Sequence, residues 1–190
     1  MSYLPAFIRL EDKKVLIVGG GVVSLRKLKY LLDFTSDIYV ISKDFSKDML
    51  IVLEENFIKY DCCEYKSGLI KEFDIVVVSI DDKDVQKEIY LESKDCKCLC
   101  NFVDFLEYCD FIFPSYIQKG DLTIAISTSG SSPSFTRYLK KYLLDIIPDN
   151  ISDFLCEMKS LRKTLPKGQK RMEFFDKKTK KYMLDWFKPI

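Results

Sequence analysis

Two kinds of apolar patterning alternate along the first hundred residues. Val15-Leu16-Ile17-Val18, Ile38-Tyr39-Val40-Ile41 and Ile75-Val76-Val77-Val78 are apolar at consecutive positions, as strands covered on both faces of a parallel sheet should be. Between them Leu25, Leu28, Leu31 and Leu32 recur at helical spacing within Val22–Leu32. Met49, Leu50 and Leu53 do the same within 45–57, and 83–93 reads as a third amphipathic helix. A weaker strand is expected over 57–60 and another over 97–103, with Cys96, Cys98 and Cys100 alternating along one face of the latter. Strands alternating with helices at this spacing predict an α/β fold, a Rossmann-like parallel sheet with right-handed crossovers.

After residue 110 the pattern changes. Residues 111–114 and 122–127 read as two extended runs joined by a hairpin-like Lys119-Gly120-Asp121 connection. A Ser/Thr/Gly loop over 127–132 leads to Ser132 as a helix cap and Pro133 as the first helical residue, with a helix expected over 135–144. Pro148 ends it, and 151–187 reads as two short helices broken near Pro166 and Gly168.

Composition removes whole classes of chemistry. The 190 residues contain no histidine, which excludes a Ser-His-Asp triad, an HExxH zinc helix and any imidazole base. The net charge is +1, so no global field favours nucleic acid or an anionic membrane. That balance is an average, because 151–190 hold 11 Lys and Arg against 5 Asp and Glu, and 1–150 hold 19 against 24. Such a basic tail is either a solvated helix face or an attractor for a polyanion, with Arg162, Lys163, Lys167, Lys170 and Arg171 the candidate contacts. Seven cysteines without a disulfide-like pattern, and an opening segment without a signal-peptide profile, predict a reducing, cytoplasmic setting. The apolar runs are far shorter than the ~18–20 residues of a bilayer span, so no membrane insertion is expected.

Gly19-Gly20-Gly21-Val22-Val23-Ser24 follows a strand and opens a helix, the context of a dinucleotide fingerprint. Gly19 would permit the tight turn, Gly21 would let the backbone approach a pyrophosphate, and the helix start would offer amides to it. The third fingerprint position is Ser24, small enough for close helix packing. The second strand ends Ser42-Lys43-Asp44 without a carboxylate at its terminus, so Ser42, Asp44 or amides are the expected ribose contacts, Lys43 could accommodate a 2′-phosphate, and NAD against NADP stays open with NAD the expectation. Asp44 could equally cap the next helix. Ser79 and Asp81 end the fourth strand, and Asp104 follows the fifth, at the edge where open α/β sheets bind ligands. Asp104 and Glu107 also have the spacing of a capping box. The cysteines read as core residues, and no resident metal centre is expected. The hydroxyl-rich loop 127–132 is either an anion site or a simple cap.

Taken in order, Leu4-Pro5-Ala6-Phe7, the Gly19-Gly20-Gly21 strand-turn with Arg26-Lys27, Asn101-Phe102-Val103-Asp104, Phe111-Ile112-Phe113-Pro114-Ser115 and the segment from Ser127 to Pro133 resemble the precorrin-2 dehydrogenase/sirohydrochlorin ferrochelatase module of siroheme synthases. The resemblance implies an NAD-binding Rossmann domain over 1–113, a dimerisation segment over 114–147 and a helical C-terminal domain over 148–190, forming a homodimer. It implies NAD-dependent oxidation of precorrin-2 to sirohydrochlorin and, in bifunctional members, insertion of ferrous iron as a substrate to give siroheme. Val22 and Val23 would then touch the cofactor, Lys43 and Asp44 would lie by the adenosine ribose, and Asp104 would serve both activities, including transient handling of iron. Thr128 stands where some relatives carry a modifiable serine, and no fused methyltransferase module is expected within these 190 residues. The rival class is a non-catalytic dinucleotide-sensing module, which the same glycine turn would serve. Without histidine, hydride transfer remains feasible, whereas metal insertion must rest largely on Asp104.

Overall fold

The computed structural model describes residues 3–186, and the predicted helix end at residue 187 lies outside them. The chain forms two compact units, 1–112 and 113–190. In the first, β1 (Val15–Val18), β2 (Ile38–Ser42), β3 (Lys59–Cys62), β4 (Ile75–Val78) and β5 (Leu99–Phe102) make one sheet in the order β3-β2-β1-β4-β5. Every pairing is parallel, with Val18 opposite both Ile41 and Val78. The crossovers are α1 (Val22–Leu32), α2 (Lys47–Glu55), a 3₁₀ turn (Leu69–Glu72) and α3 (Lys83–Cys96).

All four residues of β1 and of β4 are buried, as consecutive apolar positions require when both faces are covered. One face contributes Leu16, Val18, Ile41, Val76, Val78 and Phe102 to a core completed by Ile70 and Ile89. The alternate residues Val15, Ile17, Val40 and Val77 are buried too, as are Leu28, Met49 and Leu53 of α1 and α2. At the amino-terminal edge Asp74 accepts from Lys13 Nζ at 2.7 Å and from the Lys14 amide at 3.0 Å, tying the start of β4 to the residues before β1.

The second unit opens with an antiparallel hairpin, β6 (Ser115–Lys119) and β7 (Leu122–Ile126), paired from Ser115↔Ile126 to Lys119↔Leu122. Gly120 turns it at φ +57°, and a Cβ there would stand 2.6 Å from Ser152 Oγ. The helices α4 (Pro133–Ile146), α5 (Ile151–Thr164) and α6 (Gln169–Trp186) follow. Their core gathers Ile117, Ile147 and Ile151. Phe154 stacks on Tyr182 with centroids 4.0 Å apart, and Trp186 Nε1 donates to Ile146 O at 2.6 Å.

Four expectations need correction. Residues 111–114 form no strand; the first hairpin strand is 115–119, fixed by the five-residue register with β7. The second helix starts at Lys47, because Ser46 accepts from the Met49 amide and is its cap, so Asp44 does not cap it. The third strand is 59–62 rather than 57–60, because Phe57 is in the left-handed region at φ +55° and belongs to the preceding turn. Cys96 closes α3, Lys97 follows at φ +58° and the fifth strand is 99–102 rather than 97–103, so of the three cysteines only Cys100 lies in it, its sulfur 3.9 Å from that of Cys98. None of the described helices is long and apolar enough to cross a membrane.

Phe102, 1% exposed and edge-on to both Tyr90 and Tyr108, sets the first prediction: Phe102→Ala costs about 3–5 kcal/mol in urea unfolding. The second concerns acid. The hydrogen bond from Lys13, then that from the Lys14 amide, holds the Asp74 carboxyl below its ordinary range, so its contribution is present above about pH 4 and is lost as pH falls through the lower folded-state value. The stability gap between the parent and Asp74→Asn should therefore narrow steadily below about pH 4, as read from unfolding curves across pH.

Candidate functional site

Because every strand of the sheet runs the same way, the exits of β1, β2, β4 and β5 lie on one edge, and the order reverses between β1 and β4. That reversal opens the crevice in which doubly wound sheets take ligands. The turn from Gly19 to Gly21 leaves β1 there. Gly19 sits at φ +127°, and a Cβ on it would stand 2.4 Å from Ser79 O and 2.7 Å from Ser24 Oγ. Its glycine is thus required by packing as well as by the turn. Gly20 is equally constrained: a Cβ would meet Asp44 O at 2.3 Å, and Gly20 O accepts from the Ser46 amide at 3.0 Å.

Gly21 differs from both. It caps α1 at φ −88° and ψ −170°, extended backbone open to any residue, and a Cβ would have nothing within 4 Å. Nothing in the chain itself demands glycine here. No side chain caps α1 and its first turn carries no acidic residue, so the helix start presents amides and a positive dipole end to the crevice. Val22 is exposed and Val23 half-buried beside it. These residues fit an anionic dinucleotide: a bare backbone at Gly21, amides behind it, and no carboxylate in the turn to repel a pyrophosphate.

The other expected residues divide by what their side chains already do. Ser79 Oγ lies 2.6 Å from Ser24 Oγ, which locks α1 to the exit of β4 and commits both hydroxyls. Ser42 Oγ donates to Asp44 O at 2.7 Å, shaping the β2 exit. Lys43 Nζ is paired with Glu64 Oε1 at 3.0 Å, and the hydrogen bond to that carboxylate raises its pKa. Asp44 and Asp81 are exposed, and Asp82 caps α3 through the amides of Asp84 and Val85, both at 3.1 Å.

Asp104 is exposed just past β5, and it has no hydrogen bond or ion pair within the described residues. The capping box with Glu107 is not formed: the 3₁₀ turn Leu106–Tyr108 starts from Phe105 with no side-chain cap. Three amides of the loop 127–132, by contrast, are spent internally, that of Ser131 on Thr128 O at 2.9 Å. Ser127 Oγ accepts from the Ser129 amide at 3.0 Å, Thr128 Oγ1 from Ser132 at 3.1 Å, and Ser132 Oγ caps α4 through Phe135 at 3.3 Å. In the tail, Arg162 lies 4.6 Å over the Phe175 ring, and Arg171 donates to Arg162 O and Leu165 O. Lys163, Lys167 and Lys170 are exposed and make no such bonds among the described residues. No group of three or more Cys, Asp or Glu among the described residues is arranged to hold a metal ion.

Several groups that the sequence did not single out as site candidates also stand out. Gln86 is 2% exposed and donates to Ile80 O at 2.6 Å, bracing the β4 exit, while its Oε1 has no partner among the described residues. Asn101, 5% exposed, donates to Phe111 O at 3.0 Å and leaves its Oδ1 likewise unpaired. Burial pushes the Lys27 ammonium on α1 below its usual pKa. Cys109 and Asp110 lie along the free side of β5. The available signal was an edge strand whose outward amides needed partners, visible only once the strand order is known.

Comparison with known proteins agrees with this geometry. Residues 6–115 match the family model described as putative NAD(P)-binding, and 119–145 match the one described as sirohaem biosynthesis protein central. The siroheme synthase of Neisseria meningitidis serogroup C (strain 053442) is 31% identical over 153 residues, covering 80% of this chain and 32% of that protein. The siroheme synthase of Actinobacillus pleuropneumoniae serotype 7 (strain AP76) is 29% identical over 181 residues, covering 93% and 37%. The chain thus spans about a third of the length of these relatives. Among solved structures, that of SirC, a precorrin-2 dehydrogenase, superposes with a TM-score of 0.75 at 23% identity, covering 89% of this chain and 85% of that one, which establishes the shared fold. Matched over more than half of its length, and followed by a segment similar to the sirohaem biosynthesis central model, the chain belongs to the putative NAD(P)-binding family.

Proposed function

We propose that the chain is a precorrin-2 dehydrogenase: it binds NAD at the β1 exit and oxidises precorrin-2 to sirohydrochlorin, releasing NADH and a proton. The observation that carries the dinucleotide is Gly21, a glycine that neither its backbone angles nor its surroundings require. A bound nicotinamide supplies the hydride acceptor. Around it, the amides at the start of α1 hold the pyrophosphate, Val22 and Val23 flank the cofactor, and the Ser24–Ser79 bridge fixes the turn. Ser42, Lys43 and Asp44 lie on the ribose side. The Glu64 carboxylate engages the Lys43 ammonium, withdrawing the charge that would read a 2′-phosphate, which favours NAD over NADP.

Asp104 is the catalytic base of this reading, its exposed carboxylate taking the proton that leaves the macrocycle as the hydride departs. The same carboxylate removes pyrrole protons in ferrous insertion, the second activity we propose, with iron as substrate. The working unit is a homodimer. Phe135, Tyr138 and Tyr142 on α4 are 57%, 67% and 61% exposed, an aromatic face within 114–147 that a second copy would cover. Lys163, Lys167 and Lys170 in 148–190 suit the carboxylates of a tetrapyrrole.

With precorrin-2 and NAD under anaerobic conditions, sirohydrochlorin and NADH should appear in equal amounts by absorbance; a folded, NADH-binding protein that forms neither would be a sensing module instead. Gly21→Ala should lower the melting temperature only slightly, as loss of a glycine helix cap, while weakening NADH binding roughly tenfold or more, about 1.4 kcal/mol, in a fluorescence titration. Equal affinity would reduce Gly21 to a structural turn. Glu64→Gln frees Lys43 and should narrow the preference for NAD over NADP in kcat/KM. Sirohydrochlorin with ferrous ion should yield siroheme faster than the uncatalysed reaction, and Asp104→Ala should abolish that excess.

A further inference from the structure

The strand that delivers Asp104 is an edge strand, β5, with β4 on one side only. Toward β4, the Leu99 amide donates to Asp74 O at 2.9 Å and the Val103 amide to Val78 O at 3.1 Å. The outward amides are those of Cys100 and Phe102, and side chains meet both. Asp110 Oδ2 accepts from the Cys100 amide at 3.0 Å, while the Asp110 amide returns a bond to Cys100 O at 2.8 Å. Cys109 Sγ accepts from the Phe102 amide at 3.2 Å and lies within donating distance of Phe102 O at 3.1 Å and Phe105 O at 3.4 Å. Asn101 Nδ2 approaches the same sulfur at 3.6 Å. One thiol thus holds both ends of the segment 102–105, and Asp104 lies inside it.

We propose that Cys109 is the positioning residue for Asp104, its thiol standing in for a missing neighbouring strand at the end of β5 and fixing the turn that carries the carboxylate. The Asp104 side chain has no partner of its own within the described residues, so its placement rests on the backbone of 102–105. Burial raises the Cys109 pKa, which keeps the thiol protonated and able to donate to a carbonyl. A methyl group at 109 would leave the Phe102 amide without its partner and remove the thiol from Phe105 O, which would keep only the Tyr108 amide at 3.1 Å. A displacement of about 1 Å at a reacting group can cost on the order of a hundredfold in rate, whereas the glycine turn, on another loop, would be untouched.

This inference rests on Asp104 acting in the proposed oxidation, and the test separates the two. Cys109→Ala, Cys109→Ser, Asp104→Ala and the Asp104→Ala/Cys109→Ala double variant of the whole chain would be compared for precorrin-2 turnover, NADH affinity and thermal melting. Cys109→Ala should lower kcat roughly tenfold or more with NADH affinity within about twofold, and Cys109→Ser, which keeps a donor and acceptor, should recover most of that loss. In the Asp104→Ala background the Cys109 substitution should have no further effect, since a residue acting only through another is non-additive with it. If Cys109→Ala fails to fold, Cys109→Ser runs the same cycle, with a smaller kcat loss that vanishes without Asp104. Losses that multiply in the double variant, or parental kcat in both Cys109 variants, overturn the positioning role alone. Parental kcat in Asp104→Ala overturns the role of Asp104 and the clamp with it.

Discussion

The sheet depends on β1 and β4 being buried on both faces. A strand apolar at every position can be placed only between two covering layers, and a parallel sheet obtains those layers from its own crossovers. That constraint puts α1, α2 and α3 where they are, and it sends the exits of all five strands to one edge. Gly19, Ser42, Ser79 and Asp104 are far apart in the chain, yet they share this edge because the strands before them are parallel neighbours.

Contact at that edge is close enough to make the loops interdependent. Gly19 packs against Ser79 O and Ser24, and Gly20 against the β2 exit. Two of the three glycines therefore serve the fold, and only Gly21 is left for a ligand. The division also explains why Ser42 and Ser79 hold loops rather than present free hydroxyls: each is bonded to a neighbouring exit or to its own turn. What is left uncommitted among these groups is backbone amide at α1 and the carboxylate of Asp104, which would suit the proposed oxidation, where positioning rather than an array of acid and base groups supplies the rate.

Much of this was legible in the residues. The glycine turn, the buried strands and the helices at leucine spacing follow from local patterning, and Ser132 with Pro133 marks the start of α4 as expected. The errors fell where a local signal competes with a partner elsewhere. The apolar run 111–114 has strand composition, but 115–119 is the segment that finds a partner in register. Asp104 and Glu107 have cap spacing, but the turn begins at Phe105 and neither side chain is used. Cys96 shares the alternation of Cys98 and Cys100, yet α3 continues through it until Lys97 adopts a left-handed conformation.

By itself, then, the chain determined which segments are buried strands and helices, that it carries no histidine, and where the glycine turn between the first strand and helix lies. These depend on interactions over a few residues or on composition alone. Only the tertiary structure decided which glycine is spare, which hydroxyls are already bonded, that Lys43 is held by Glu64, and that Cys109 and Asp110 complete the free side of β5. The Ser24–Ser79 and Lys43–Glu64 pairings are set by strand order, and Cys109 and Asp110 matter because that order leaves β5 at an edge; strand order is settled by long-range packing that no local pattern encodes.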